Sequence, residues 1–253
     1  MSTAPLAAAF DVSPLRGSVL IVPTVSTGNV PQLLGDLVVS SAAESPFARI
    51  GSLASPYVLN VVGPDAFGSP NHLAMPIEVY HSPARKLTLL QLRSPVIQGF
   101  GAQFSQALYA WAQSVGFKQV LVLASADAAY RTDSLIEGTP SFRHLHIATS
   151  DPPLSLTTTE TKHLESELAQ DCKLPGSGFL APLVATAREH QSTVPTAVFL
   201  TFAMEGDNLQ DTMMAFAKVA NVVGLRGVHP RPPVSWAELY GAQLALDVAR
   251  EVY

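Results

Sequence analysis

The stretch SVLIVPTVSTGNVPQLLGDLVVSSAA, residues 18–43, decides the fold class. Its opening run, Val19 to Val22 closed by Pro23, is apolar without polar alternation, which suits a strand buried on both faces. From Val30 the period changes. Val30, Leu33, Leu34, Leu37, Val38 and Ser41 recur every three or four residues, the spacing of one helix face. Pro31 stands near the helix start, where its missing N–H costs nothing, and Ser26, Thr27 or Asn29 is available as the cap. A strand, a tight turn at Gly28 and a helix make the opening half of a βαβ unit.

Working outward, the same grammar recurs. Residues 57–62 (Tyr57 to Val62) form a short apolar run with Pro and Gly around it, expected as a strand with irregular flanks. Residues 76–81 and 86–94 alternate about SPAR and predict a hairpin. Phe104, Leu108, Trp111, Ala112 and Val115 line one helix face that Gly116 ends, and QVLVLAS at 119–125 follows as a buried strand. FRHLHIA at 142–148 reads as another strand and 150–159 as a surface loop. The helical signal over 160–191 is split by LPGSG at 174–178. Residues 195–204 predict a buried strand, followed by EGDN and a helix with Leu209, Met213, Phe216, Ala217, Ala220 and Val223 on its face. After the bend LRGVHPRPP, a terminal helix is expected from about Ser235. Together these elements predict a single α/β domain over residues 1–253, with a mainly parallel central sheet flanked by helices. Residues 1–16 are expected as a flexible N-terminus and 234–253 as a C-terminal helix or tail.

Composition excludes several classes. Hydrophobic residues make up 47% of the 253, an ordinary share, but charged residues only 14%, where about 25% is usual. Fifteen Lys and Arg stand against twenty Asp and Glu, with no basic cluster, so no nucleic-acid partner is expected. The longest apolar runs fall far short of a membrane span, so no membrane partner is expected either. The first ten residues lack the positive start of a secretory signal, and the one cysteine, Cys172, cannot form an internal disulfide; the expected setting is cytoplasmic and nuclear. The charge deficit has two readings, a surface covered by a permanent partner or a compositional habit of the source.

Candidate chemistry gathers at two loops. Ser26, Thr27, Gly28 and Asn29 follow a strand and precede a helix, where backbone N–H groups can hold a phosphate or carboxylate. The loop matches neither GxGxxG nor the lysine-bearing phosphate loop, and its residues are also ordinary cap and turn residues, which is the preferred reading. Glu205, Gly206, Asp207 and Asn208 end another strand. Paired carboxylates there could do acid/base work, but Asp207 or Asn208 is also the natural cap of the next helix, again the preferred reading. Of the seven histidines, His144 and His146 share a strand face, but no spacing completes a metal site, and no metal or cofactor is expected. No GxSxG elbow and no Cys/His arrangement is present. The enzyme alternative is a nucleoside phosphorylase or nucleosidase binding phosphate at Ser26 to Asn29, with Arg85, Arg93 and Arg131 available as anion ligands.

Four stretches carry a family resemblance: residues 19–41, EVYHSPARKLTLLQLRSPV at 78–96, FLTFAMEGDNLQDTM at 199–213 and PVSWAELYG at 233–241. With SxGNV, the Y-x-x-P-x-R-K-L hairpin, EGDN and the late Ser-Trp in combination, the chain resembles the proteasome assembly chaperone 2 family. The resemblance implies a nucleoside phosphorylase-like fold without catalysis. It also implies a heterodimer with proteasome assembly chaperone 1 that holds proteasome α subunits while the α-ring of the core particle forms. Relatives in some lineages end in a hydrophobic-Tyr-X tail that docks between α subunits. The sequence here closes on Val252 and Tyr253 with no residue in the X position, so a shifted version of that docking is an expectation beside the plainer one of an ordinary helix end. On this reading the loops at Ser26 to Asn29 and Glu205 to Asn208 shape the sheet edge and perform no chemistry.

Overall fold

The central strands are mainly apolar because each feeds two cores. The computed structural model describes residues 5–131, 142–148, 154, 156 and 161–238. Its strands are β1 (Ala7–Ala8), β2 (Val19–Pro23), β3 (Ala48–Ala54), β4 (Gly63–Pro64), β5 (Leu73–Ala74), β6 (Ile77–Ser82), β7 (Leu87–Leu92), β8 (Gln119–Asp127), β9 (Phe142–Ile147), β10 (Lys162–His163) and β11 (Thr196–Ala203). The α-helices are α1 (Val30–Ser41), α2 (Gly101–Val115), α3 (Ser166–Asp171), α4 (Leu180–Glu189) and α5 (Leu209–Val222). Nine strands form one sheet in the order β1-β3-β6-β7-β2-β8-β11-β9-β10, while β4 and β5 pair apart from it. The centre, β7-β2-β8-β11, is parallel. On one side the β6–β7 hairpin leads to antiparallel β3 and β1; on the other, β9 runs antiparallel to β11 and β10 parallel to β9. Along β2, Leu20 and Val22 enter the core beneath α2 and α4, whereas Val19 and Ile21 enter the core beneath α1 and α5.

Local signals placed most elements. In α2, Phe104, Leu108, Trp111, Ala112 and Val115 are all buried. Gly116 closes the helix at φ 82°, a conformation that suits a residue without Cβ, and its N–H reaches the carbonyls of Ala112 and Gln113 at 3.1 Å. The hairpin pairs Ile77 with Leu92 through to Ser82 with Leu87, about the turn read from SPAR.

Four expectations change. Residues 57–62 are not a strand: only Val58 makes an isolated bridge, to Val96, while Leu59, Val61 and Val62 are exposed. The strand in this region is β3, whose Ala, Gly and Ser residues carry little apolar pattern because its faces are mostly half-buried and its register with β6 shifts between Arg49 and Gly51. Residues 5–16 are tied down, with Leu6 and Leu15 in the core and β1 on the edge of β3, in place of a flexible arm. Ala217 of α5 faces outward; Ala215 and Val219 complete the buried face. Most of the expected 150–159 surface loop lies outside the described residues, but Leu156 is buried in the core. Of the terminal helix, a 3-10 turn at Val234–Glu238 is described, and residues 239–253 lie outside the described residues.

A buried ion cluster pins α1 to the hairpin. Arg93, just past β7, donates to Asp36 of α1 at 2.6 Å and to Glu78 of β6 at 2.9 Å. Glu78 also meets Arg49 of β3 at 3.2 Å and accepts the Tyr80 hydroxyl at 2.9 Å. Burial pushes the Asp36 carboxyl above the usual carboxylate range, and Arg93 pulls it back part of the way. The attraction across such a cluster offsets a large desolvation cost only while all partners are present. Replacing Arg93 by Met leaves two buried carboxylates short of a cation, so urea unfolding should show a loss of about 3–5 kcal/mol. A loss below ~1 kcal/mol would mean the carboxylates find other partners.

Candidate functional site

The parallel strands β2, β8 and β11 end at one edge of the sheet, and the loops that follow hold the residues singled out from sequence. After β2 the chain turns through Gly28 at φ 66° and Asn29 at φ 55°, both left-handed, and enters α1. Asn29 occupies the cap position without a side-chain cap bond, and Ser26 and Thr27 do not cap the helix either, because their hydroxyls are committed elsewhere. Ser125 of β8 donates from its hydroxyl to the Thr27 carbonyl at 2.6 Å and from its N–H to the Ser26 hydroxyl at 3.1 Å. With the Ser125 proton spent on Thr27, the 2.8 Å contact between the two serines has Ser26 as donor. Thr24 then completes the string by donating to Ser26 at 3.1 Å. Each buried hydroxyl is satisfied, and the Ser26 hydroxyl has no general base among these partners to activate it as a nucleophile.

The anion position is taken by the protein's own main chain. The N–H and the hydroxyl of Thr27 both donate to the carbonyl of Gly176, at 2.9 and 3.1 Å, and the Asp127 N–H donates to the carbonyl of Pro175 at 2.9 Å. Gly176 and Gly178, both at positive φ, lie so close that a Cβ on either would collide with Thr27 Oγ1 or the Val25 carbonyl. The LPGSG segment therefore breaks the helical region and also lays backbone across the loop after β2. Sequence reasoning saw the first role and missed the second; the signal was the pair of glycines two residues apart. Ser125 was also missed, being the last residue of an apolar run.

The structure brings the two predicted loops together. A Cβ on Gly28 would stand 2.8 Å from Asn208 Cγ and 2.9 Å from the Met204 carbonyl. Asn208 is buried and donates from Nδ2 to the carbonyls of Met204 and Gly206, each at 2.9 Å. The Asp207 carboxylate accepts the Leu209 N–H at 3.0 Å from one residue before the cap position, which Asn208 occupies without a side-chain cap bond. Glu205 and Gly206 are exposed beside them, and Val252 and Tyr253 lie outside the described residues.

Three histidines gather at the other end of the sheet. His144 packs edge-on against His146 and His163 with ring centroids 5.4 Å apart, and its Nδ1 pairs with the Thr161 hydroxyl at 2.7 Å. Among the described residues, no group of three or more His, Cys, Asp or Glu is arranged to hold a metal ion. Burial, then the nearby His146 and His163, push His144 down to about 4, and burial and His163 push His146 below its usual value.

An α/β sheet with helices on both faces and a self-sealed strand edge defines a scaffold of a recognisable kind. It is similar to the Pyrococcus furiosus protein PbaA, an archaeal homologue of proteasome-assembly chaperone, with a TM-score of 0.65 and 13% identity, covering 96% of each chain. Similar in fold too is PbaB from the same organism, an archaeal proteasome activator, with a TM-score of 0.60 and 12% identity, covering 97% of this chain and 95% of that one. In sequence, the chain is 35% identical to proteasome assembly chaperone 2 of Nematostella vectensis over 79% of its length and 86% of that protein. It is 29% identical to the Mus musculus protein of the same name over 92% and 96%. The PAC2 family model matches residues 20–238, and the chain belongs to the PAC2 family.

Two outcomes follow from this geometry. Gly28→Ala meets both a left-handed backbone and a backbone carbonyl that cannot step aside, and should cost more than ~1 kcal/mol by thermal or urea unfolding; an unchanged midpoint would contradict the close approach. His144 has a folded-state pKa below its unfolded value near 6.5, so the unfolded chain binds the extra proton. Stability is therefore fully present above about pH 6.5 and should fall by about 2 kcal/mol as the pH drops to ~4.5. His144→Asn should flatten that part of the pH profile.

Proposed function

We propose that this protein is a non-catalytic chaperone for assembly of the proteasome core particle. It pairs with proteasome assembly chaperone 1, and the heterodimer holds α subunits while the α-ring forms. The observation that carries this reading is the family match across residues 20–238, with relatives named proteasome assembly chaperone 2 over most of their length. The main chain laid over the Thr27 loop supports the non-catalytic part, because the N–H that a phosphorylase or nucleosidase would turn toward phosphate is spent on Gly176. The loops at Ser26 to Asn29 and Glu205 to Asn208 act as structural supports of the sheet edge. The charge-poor surface suits a partner-covered protein. Val252 and Tyr253 contribute to α-subunit binding, and the complex works in the cytoplasm and nucleus.

Co-expression with proteasome assembly chaperone 1 and α subunits tests this. The expected result is a stable one-to-one complex that retains α subunits, with deletion of Val252 and Tyr253 weakening α-subunit retention and leaving the pairing intact. A long-lived monodisperse monomer that ignores the other chaperone would overturn the heterodimer. Phosphate-dependent nucleoside cleavage lost on Asn29→Ala would overturn the non-catalytic reading.

A further inference from the structure

The register of the parallel strands sets three residues in a row at the end of the sheet opposite the Thr27 loop. Val19 of β2 stands beside Leu87 of β7 on one side and Gln119 of β8 on the other, so the residues just before them, Lys86, Ser18 and Lys118, enter the sheet side by side. Main-chain bonds hold the row: the Val19 N–H donates to the Lys86 carbonyl at 2.9 Å, and the Lys118 N–H to the Ser18 carbonyl at 3.0 Å. Two strand spacings of about 4.8 Å put the lysines roughly 10 Å apart at the main chain, one on each side of Ser18. Arg16 joins them from the turn before β2, where the Gly17 N–H donates to the Gly116 carbonyl at 2.9 Å. Positions 16, 86 and 118 are far apart in sequence, so their meeting is a product of the fold.

A hollow of about 330 Å³ opens between them, at the small end of natural ligand sites. Arg16, Lys86, Lys118 and His81 line it, with Pro14 and Pro83 as walls, and no carboxylate is among its lining residues. Among the described residues, none of the three cations makes an ion pair. Two of the long side chains lie against glycines: a Cβ on Gly17 would stand 3.7 Å from Lys118 Cε, and one on Gly116 would stand 3.6 Å from Arg16 Cγ. His81 is buried, with its Nδ1 3.0 Å from the Thr88 hydroxyl, which meets the Ser18 hydroxyl at 2.8 Å. Lys86 sits in the hairpin turn at φ 52°, a left-handed position that Gly or Asn would hold with less strain. In a chain of net charge -5, three cations gathered around one hollow repel each other unless an anion joins them.

We propose that this hollow binds a small phosphorylated ligand through a phosphate group carrying two or more negative charges, with Arg16, Lys86 and Lys118 as its cationic contacts. The number of cations is the reason: a single carboxylate would satisfy one of them, whereas clustered phosphate oxygens can meet all three. A volume of this size suits a phosphate or diphosphate and is too small for a peptide segment. Apart from His81, no aromatic ring lines the hollow, so nothing is placed to stack on a base. The site reads the phosphate and not the group attached to it. A ligand there bridges the starts of β2, β7 and β8, and it stabilises the centre of the sheet because the unfolded chain has no such site. The site lies away from both candidate loops and does not depend on the assembly role.

Titration calorimetry with inorganic pyrophosphate tests this in the full chain. At fixed ionic strength, pyrophosphate should bind one to one and raise the unfolding midpoint, and sulfate should bind about tenfold or more weakly. Arg16 and Lys118 are exposed, so Arg16→Gln and Lys118→Gln should fold and each weaken pyrophosphate binding about tenfold or more. Lys162→Gln, at an exposed lysine on the far edge of the sheet, should leave it unchanged. Lys86→Asn separates binding from folding. Asparagine suits the left-handed turn, so this variant should keep or raise the unfolding midpoint of the free protein and still lose about tenfold or more in affinity. No saturable binding, equal binding of sulfate, or unaltered affinity in the Arg16, Lys86 and Lys118 variants overturns the proposal. A phosphoserine peptide that binds about tenfold more tightly than pyrophosphate overturns the small-ligand assignment. Neither titration contains proteasome subunits, so failure of the assembly role leaves both results standing.

Discussion

Arg93 holds carboxylates from two layers of the molecule on one guanidinium, Asp36 from α1 and Glu78 from β6, and its planar fork is what allows both at once. Without that junction α1 would be held on the sheet by apolar packing and by the hydrogen bonds that Gln32 and Gln91 make between α1 and β7. With it, the helix is also held to the hairpin through a charge, and the loop that enters α1 at Gly28 inherits that position. Arg49 extends the cluster to β3, and the Arg93 guanidinium lies 6.0 Å from the Phe67 ring centre, so the outer half of the sheet and the loop above it are located by the same charges. The cluster costs desolvation wherever it stands; what it supplies is a single relative placement of helix, hairpin and edge strand.

The sequence was most legible where burial was two-sided or strictly periodic. The runs that became β2, β8 and β11 could be read because both faces of each strand meet core, and α2 because its apolar stripe ends at a glycine in the left-handed region. Legibility failed at the sheet margin. The run from Tyr57 to Val62 looked like a strand because apolar residues usually go inside, yet three of its apolar side chains, Leu59, Val61 and Val62, are exposed. The adjoining Ala48–Ala54 is a strand for a reason no local pattern announces: β6 offers it an edge.

The candidate site was half legible. Both loops were singled out from sequence, and in the structure their side chains bond to other parts of the chain. Their mutual contact was not foreseeable, because Gly28 and Asn208 are 180 residues apart and only the parallel order β2-β8-β11 brings their strand ends to one side. Nor was the reason for the missing caps. Ser26 and Thr27 have the chemistry to cap α1, but they answer instead to Ser125 and Gly176, groups that local sequence could not nominate.

The turn at residues 174–178 has a consequence for how such a protein can be controlled. A phosphate or nucleotide arriving at the Thr27 loop would have to displace a main-chain carbonyl held by two donors and flanked by glycines that fit without clearance. An anion at this loop would have to replace both hydrogen bonds that Thr27 gives to Gly176 before it could be held there.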